Sequence, residues 1–159
     1  MASKVRFLME TLENIDKAVA DIAKIRVCVG IMGDKGLRKE NKGEDLTNAE
    51  VGALQEFGSL KQGIPRRSFL EDPLEDHKKN ISDELMPWLI KYSMRGRSVE
   101  VMMKLGVLCV GKVAEAFSTS GWGKWAPNAD MTVILKGSDK PLIDTGQLAK
   151  SISYMVVKK

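Results

Sequence analysis

Val5, Leu8, Leu12, Ile15, Val19 and Ile22 recur at alternating spacings of three and four, with Glu10, Glu13, Asp16, Lys17 and Asp21 between them. This spacing predicts an amphipathic helix over 4–24 with one narrow apolar seam. The period then drops to two. Ile25, Val27, Val29 and Ile31 fall on one face and Arg26, Cys28, Gly30 and Met32 on the other, a strand over 25–32 with at least one buried face. Residues 33–47 mix charge with glycine and carry one leucine, which predicts a long mobile loop. Thr47 and Glu50 form a capping-box pattern ahead of a short helix with Val51, Leu54 and Phe57 facing inward and Gly58 stopping it. The segment 60–70 holds Gly63 and Pro65 and reads as an edge strand or extended arm.

Asp72-Pro73-Leu74-Glu75 starts a further helix, with Asp72 as N-cap, running through Ile81, Leu85 and Leu89 toward residue 95. Pro87 is expected to kink or split it. Ser98 is placed to cap a second long helix over 98–118, whose Val99, Met102, Met103, Gly106, Val110, Val113 and Phe117 share a stripe. Val101, Leu105 and Leu108 widen the stripe, so this helix is either the centre of the core or is covered on two sides by partners. Near the C-terminus Ile152, Tyr154 and Val156 alternate with Ser151, Ser153, Met155 and Val157, a strand near 150–157 that returns to pair with 25–32. The expected fold class is α+β, one domain over 1–159. A small, mostly antiparallel sheet (strands near 25–32, 60–69 and 150–157) packs against the long helices at 73–95 and 98–118.

Composition changes this picture little. A chain of 159 residues can bury a core of its own, and 43% apolar with 29% charged residues is ordinary for a folded domain. Nine methionines suit an irregular core or a surface that is covered on assembly. The net charge of +4 lies wholly in residues 81–159, which hold 11 basic and 7 acidic side chains, whereas residues 1–80 hold 14 of each. Lys91, Arg95, Arg97, Lys104 and Lys112 are spread along that half without the dense stripe of a dedicated nucleic-acid binder. Cys28 and Cys109 sit inside apolar runs and read as buried, reduced thiols of a cytoplasmic product. Acids at Glu10 and Glu13 precede any long apolar run, and no stretch is apolar enough to span a bilayer. Neither a secretory signal nor a membrane partner is expected.

Candidate chemistry is sparse. His77 is the sole histidine and lies in a charged helical start, so it reads as a solvated side chain rather than a catalytic base. The glycines of GIMGDKG lack the following K-[ST] and helix of a phosphate loop, and Asp34 would repel a phosphate. Glu71, Asp72, Glu75 and Asp76 could hold a magnesium ion for a nuclease or hydrolase, but at a helix start they complement the macrodipole. No catalytic, metal-binding or cofactor-binding residues are assigned. Arg66 and Arg67, next to Phe69, form the sharpest basic point: a charge-protected edge, or a contact for acidic protein or DNA. Trp122 and Trp125, in a Gly/Pro loop, seal a core or an interface, or stack bases.

Four stretches in order carry a resemblance: VCVGIMG, then NAEVGALQEFGS, then IPRRSFL, and finally W-AP followed by KGSDKPLIDTGQLAKSISY. Together, over residues 25–156, they resemble the tail-completion (neck, or head–tail joining) proteins of tailed bacteriophages, a group that includes lambda minor tail protein Z and the virion morphogenesis protein of Mu-like phages. Arg66 departs from the pattern, standing where a second proline is usual. The resemblance implies a non-enzymatic virion subunit, made in the host cytoplasm, that caps the tail and joins it to the DNA-filled head. Its implied partners are copies of itself in a ring (sixfold by analogy with the tail), tail-terminator or tail-tube proteins, head-completion or connector proteins, and passing contact with DNA. The candidate interface residues are then Arg66, Arg67, Phe69, Trp122 and Trp125. The C-terminal signature Pro141, Asp144, Gly146 and Gln147 is read as structural: Asp144 caps a short turn, with Gln147 reaching back to its amide, and aims the last strand. The alternative is a basic nucleic-acid-binding protein using Arg66, Arg67 and the basic C-terminal half.

Overall fold

The structure is a computed structural model that describes residues 2–33, 46–93, 95–143 and 145–159. It is an α+β fold. Its described elements are α1 (Ala2–Ala23), β1 (Ile25–Ile31), α2 (Asn48–Phe57), α3 (Glu71–Asp76), α4 (Lys78–Trp88), a π-helical turn (Leu89–Ser93), α5 (Ser98–Thr119), α6 (Asp130–Lys136), α7 (Gln147–Ser151) and β2 (Ile152–Lys158). β1 and β2 form a two-stranded antiparallel sheet, and the Lys159 amide donates to the Lys24 carbonyl at its end. The predicted return of the C-terminal strand onto the first is thus present. No strand forms over 60–69. There, Ser59 and Ile64 exchange backbone bonds of 2.8 and 2.9 Å across a tight turn, and the chain continues as extended coil. Pro65 has no amide to donate to a ladder, and Arg67, Ser68 and Phe69 are buried in succession, which a half-buried strand does not allow.

The chain folds into two compact units. One comprises residues 1–28, 79–108 and 155–159, the other residues 29–78 and 109–154. In the second unit Phe69, Val113, Phe117, Leu148 and Ile152 form the core, with Val29, Ile31, Val51, Leu74 and Trp125 packed against it. The first unit buries Ala18, Ile25, Ile81, Val101 and Met102.

Local chemistry accounts for the helix ends. The Thr47 hydroxyl accepts from the Glu50 amide at 3.2 Å and the Glu50 carboxylate accepts from the Thr47 amide at 2.8 Å, the predicted capping box. Those hydrogen bonds from Thr47 hold the Glu50 carboxyl below its usual value. Gly58 closes α2 with φ of 70°, and a Cβ there would lie 2.8 Å from the Arg66 nitrogen. The predicted helix over 73–95 is split at His77, ahead of Pro87, and α4 runs through the proline. Pro87 has no amide for the Asp83 carbonyl, and a π-helical turn follows directly. Two predicted caps are displaced. Asp72 lies inside α3, whose N-cap is Leu70, and Ser98 is the first residue of α5.

Burial corrects several further expectations. Phe57 is 73% exposed, and the inner face of α2 is Asn48, Gly52 and Glu56. Cys28 is exposed and Cys109 half-buried; desolvation pushes the Cys109 thiol up, away from the reactive thiolate. On α5 the buried line runs through Val101, Met102, Gly106, Val113, Ala116 and Phe117, while Val99, Met103 and Val107 face outward. Of the loop expected over 33–47, residues 34–45 lie outside the described residues.

Candidate interface site

In the second unit one carboxylate of α2 meets the segment that leads into α3. Glu56, 6% exposed, accepts four hydrogen bonds: from the Ser68 hydroxyl at 2.6 Å and from the amides of Phe69 (2.8 Å), Leu70 (3.0 Å) and Glu71 (3.0 Å). These amides lie at the start of α3, where helical donors have no partner within the helix. The Ser68 hydroxyl in turn accepts from the Asp72 amide at 3.0 Å. One side chain of α2 therefore pins the whole turn from the IPRRSFL stretch into α3.

Arg67 lies beside this turn and is buried. Its Nε donates to the Ala126 carbonyl (2.8 Å), Nη2 to the Pro127 carbonyl (2.8 Å) and Nη1 to the Gln55 side-chain oxygen (3.2 Å); its own amide donates to the Gln55 carbonyl at 2.7 Å. Burial pulls its guanidinium below the usual arginine value. Arg66 points the other way. It is exposed and makes a bidentate pair with Asp72 at 2.8 and 2.7 Å, with a further bond to Glu71 at 3.2 Å. Hydrogen bonding to Arg66 depresses the Asp72 carboxyl, and the same bonds raise Arg66.

Trp122 and Trp125 enter from the loop after α5. Ser120, Gly121, Trp122 and Gly123 have φ of 52°, 65°, 54° and 77°, consecutive left-handed residues that cost about 1–2 kcal/mol at each of the two non-glycine positions. The glycine at 121 is obligatory, because a Cβ there would collide with the Trp125 indole. The turn delivers Trp125 edge-on to Phe117 (5.8 Å, 82°), with its indole nitrogen donating to the Ser68 carbonyl at 3.0 Å. Phe69, 1% exposed, meets Phe117 at 5.2 Å. Trp122 stays half-buried and stacks on His77 at 4.2 Å.

Of the five sequence-predicted interface residues, Arg67 and Phe69 are therefore internal, and Trp125 is half-buried. Arg66, Trp122 and Trp125 line a polar recess of 180 Å³ with Asp72, Asp76 and Lys124, where Lys124 pairs with Asp76. In the C-terminal signature Pro141 is buried and Leu148, 4% exposed, joins the core. The N-cap of α7 is Gly146, with φ of 74° and no capping side-chain bond, so Gln147 is the first helical residue and not the third. Asp144 lies outside the described residues. Sequence reasoning missed Glu56, Gln55 and Ser68; the spacing of Asn48, Gly52 and Glu56 by four was the available signal for the inner face of α2. Among the described residues no three acidic, histidine or cysteine side chains gather as a metal site would require, and no helix is long and apolar enough to cross a membrane. Compared with family models, curated proteins and solved structures, the chain matches none.

Proposed function

We propose that this chain is a structural subunit of the tail-completion type, which self-associates into a ring, closes the finished tail of a tailed phage and joins it to the head. The observation that carries the reading is the unpartnered seam of α1. Val5, Leu12, Ile15 and Val19 remain 56%, 61%, 42% and 62% exposed, with Phe7 and Met9 beside them at 67% and 61%. Their three-four spacing is that of a seam which packs against another helix.

The same unit carries a recess for such a seam. Ile15, Ala18, Val19 and Ile22 of α1, with Leu89 and Ile90 of the π-helical turn, line an apolar groove of 620 Å³. The N-terminal part of the seam, Val5 to Leu12, from one copy entering the groove that Ile15 and Val19 line in the next is a contact between unlike patches, and repeated contacts of that kind close into rings. Burying the exposed half of each seam side chain stabilises by about 1 kcal/mol apiece. The total is comparable with the lower estimates of the association cost, so assembly should depend on concentration.

Light scattering of the full chain tests the proposal: an oligomer that grows with concentration is expected, and Leu12→Glu with Ile15→Glu should hold the protein as a monomer that no longer joins heads to tails. A wild-type protein that stays monomeric at high concentration, and is absent from purified virions, would sink it.

A further inference from the structure

Four basic residues of the second half, Lys91, Arg95, Arg97 and Lys104, meet in the first unit around two aromatic rings. Trp88 and Tyr92, one helical turn apart, stack at 5.0 Å with planes 17° apart. Lys104 holds its ammonium 5.4 Å from the Trp88 ring, while Lys91 and Arg97 stand 5.4 and 5.0 Å from the Tyr92 ring. All three lie within the distance at which a ring face attracts a cation. Arg95 is exposed in the same turn, where the amides of Arg95 and Arg97 both donate to the Tyr92 carbonyl. Two acids belong to the patch: Glu100 pairs with Arg97 at 2.9 Å, and Glu84 lies 3.9 Å from Lys104. Four cations against two acids leave it positive.

We propose that this patch binds the phosphate backbone of nucleic acid without reading sequence. Cations drawn to ring faces have lost part of their rotational freedom before a ligand arrives, which lowers the cost of ordering them on phosphates. The Arg97 fork suits a phosphate, since its bond to Glu100 leaves further donors free to turn outward. The ring faces carry cations, so bases do not stack there; Trp88, 37% exposed, presents its remaining surface to sugars and base edges. A phosphate polymer brings regular charge to such a row with no need for matched side chains, which an acidic protein would have to supply. The proposal does not rest on the assembly reading, because every residue it uses lies in 84–104.

Fluorescence anisotropy of a labelled random-sequence duplex, titrated with the full chain, tests it. With three cations on phosphates, affinity should fall about 40-fold between about 50 and about 200 mM salt, a log–log slope near −2.7. Each of Lys91→Gln, Arg97→Gln and Lys104→Gln should reduce the steepness by about 0.9, the triple variant should abolish it, and Lys61→Gln outside the patch should change nothing. Melting curves identify any variant that fails to fold, and the single variants then decide the result. No duplex binding at low salt, or an unchanged slope in the singles, overturns the proposal. Polyglutamate binding more tightly than the duplex also overturns it, and makes the patch a dock for acidic protein.

Discussion

Glu56 shows how one side chain can organise a segment that secondary structure leaves unsupported. Both of its oxygens face donors: one takes the Ser68 hydroxyl and the Glu71 amide, the other the Phe69 and Leu70 amides. Glu56→Gln keeps the shape but turns an amide group toward those donors, and buried groups left unpaired cost about 1–3 kcal/mol each. Glu56→Gln should therefore lower stability by on the order of 3 kcal/mol, read as the shift in the denaturation midpoint at an unchanged slope. Glu56→Ala should be at least as damaging. A loss under 1 kcal/mol for both would mean that water replaces the carboxylate and the segment holds itself. Arg67 differs, since it is a buried cation that donates to the neutral oxygens of Ala126, Pro127 and Gln55. Arg67→Met keeps the stem while leaving the Ala126 and Pro127 carbonyls without those bonds, so Trp125 emission should shift to the red even where the protein still melts cooperatively.

At the scale of elements, the starts of α2 and α3 both depend on ionised acids. Glu50 is held below its ordinary value by the Thr47 cap and Asp72 by Arg66. A carboxyl depressed in the folded state contributes stability that is complete above its unfolded value, near pH 4, and is lost as pH falls through the depressed value. Thermal stability should stay flat with respect to these two groups from neutral pH down to about pH 5 and decline below about pH 4. The double variant Glu50→Gln, Asp72→Asn should melt lower at neutral pH and show a shallower acid decline. An acid limb identical to that of the parent would assign the loss to other carboxylates. The loop after α5 is an element of another kind, because its left-handed residues are held by contact with Trp125. Gly121→Ala puts a methyl group into the indole and should displace Trp125 from Phe117, with a loss of near-ultraviolet circular dichroism as the readout.

For the molecule as a whole, Phe69, the largest fully buried side chain among the described residues, belongs to the second unit, and the first unit carries the exposed seam. Amide exchange should therefore be slowest in the second half of α5 and in α7, around Val113, Phe117 and Leu148, and fastest in the N-terminal half of α1. Concentrating the protein should slow α1 selectively if the seam is its association surface. Uniform slowing, or none, would place the contact elsewhere. Phe69→Ala should cost about 3–5 kcal/mol and unfold the second unit's core, independently of the state of α1.

Periodicity was enough for the elements whose stability is local. The three-four spacing of α1, the alternation of β1 and the Thr47–Glu50 box each depend on neighbours within a turn or two, and each stands within a residue or two of its expected bounds. The return of β2 onto β1 was legible from two alternating segments that each needed a partner. Contacts distant in sequence decided the rest. Arg66 and Arg67 are adjacent and chemically identical, yet one faces carboxylates at the surface and the other lies buried against carbonyls 59 and 60 residues away. Phe57 had the right spacing for the core of α2, but Gly52 admits Ile31 so closely that the inner face turns to Asn48, Gly52 and Glu56. Lys91, Arg97 and Lys104 looked dispersed because sequence distance hides what a break between two helices brings together. A chain can specify its own turns and helical faces from nearby residues; which face meets which depends on shape and desolvation, and those exist only once the segments have packed.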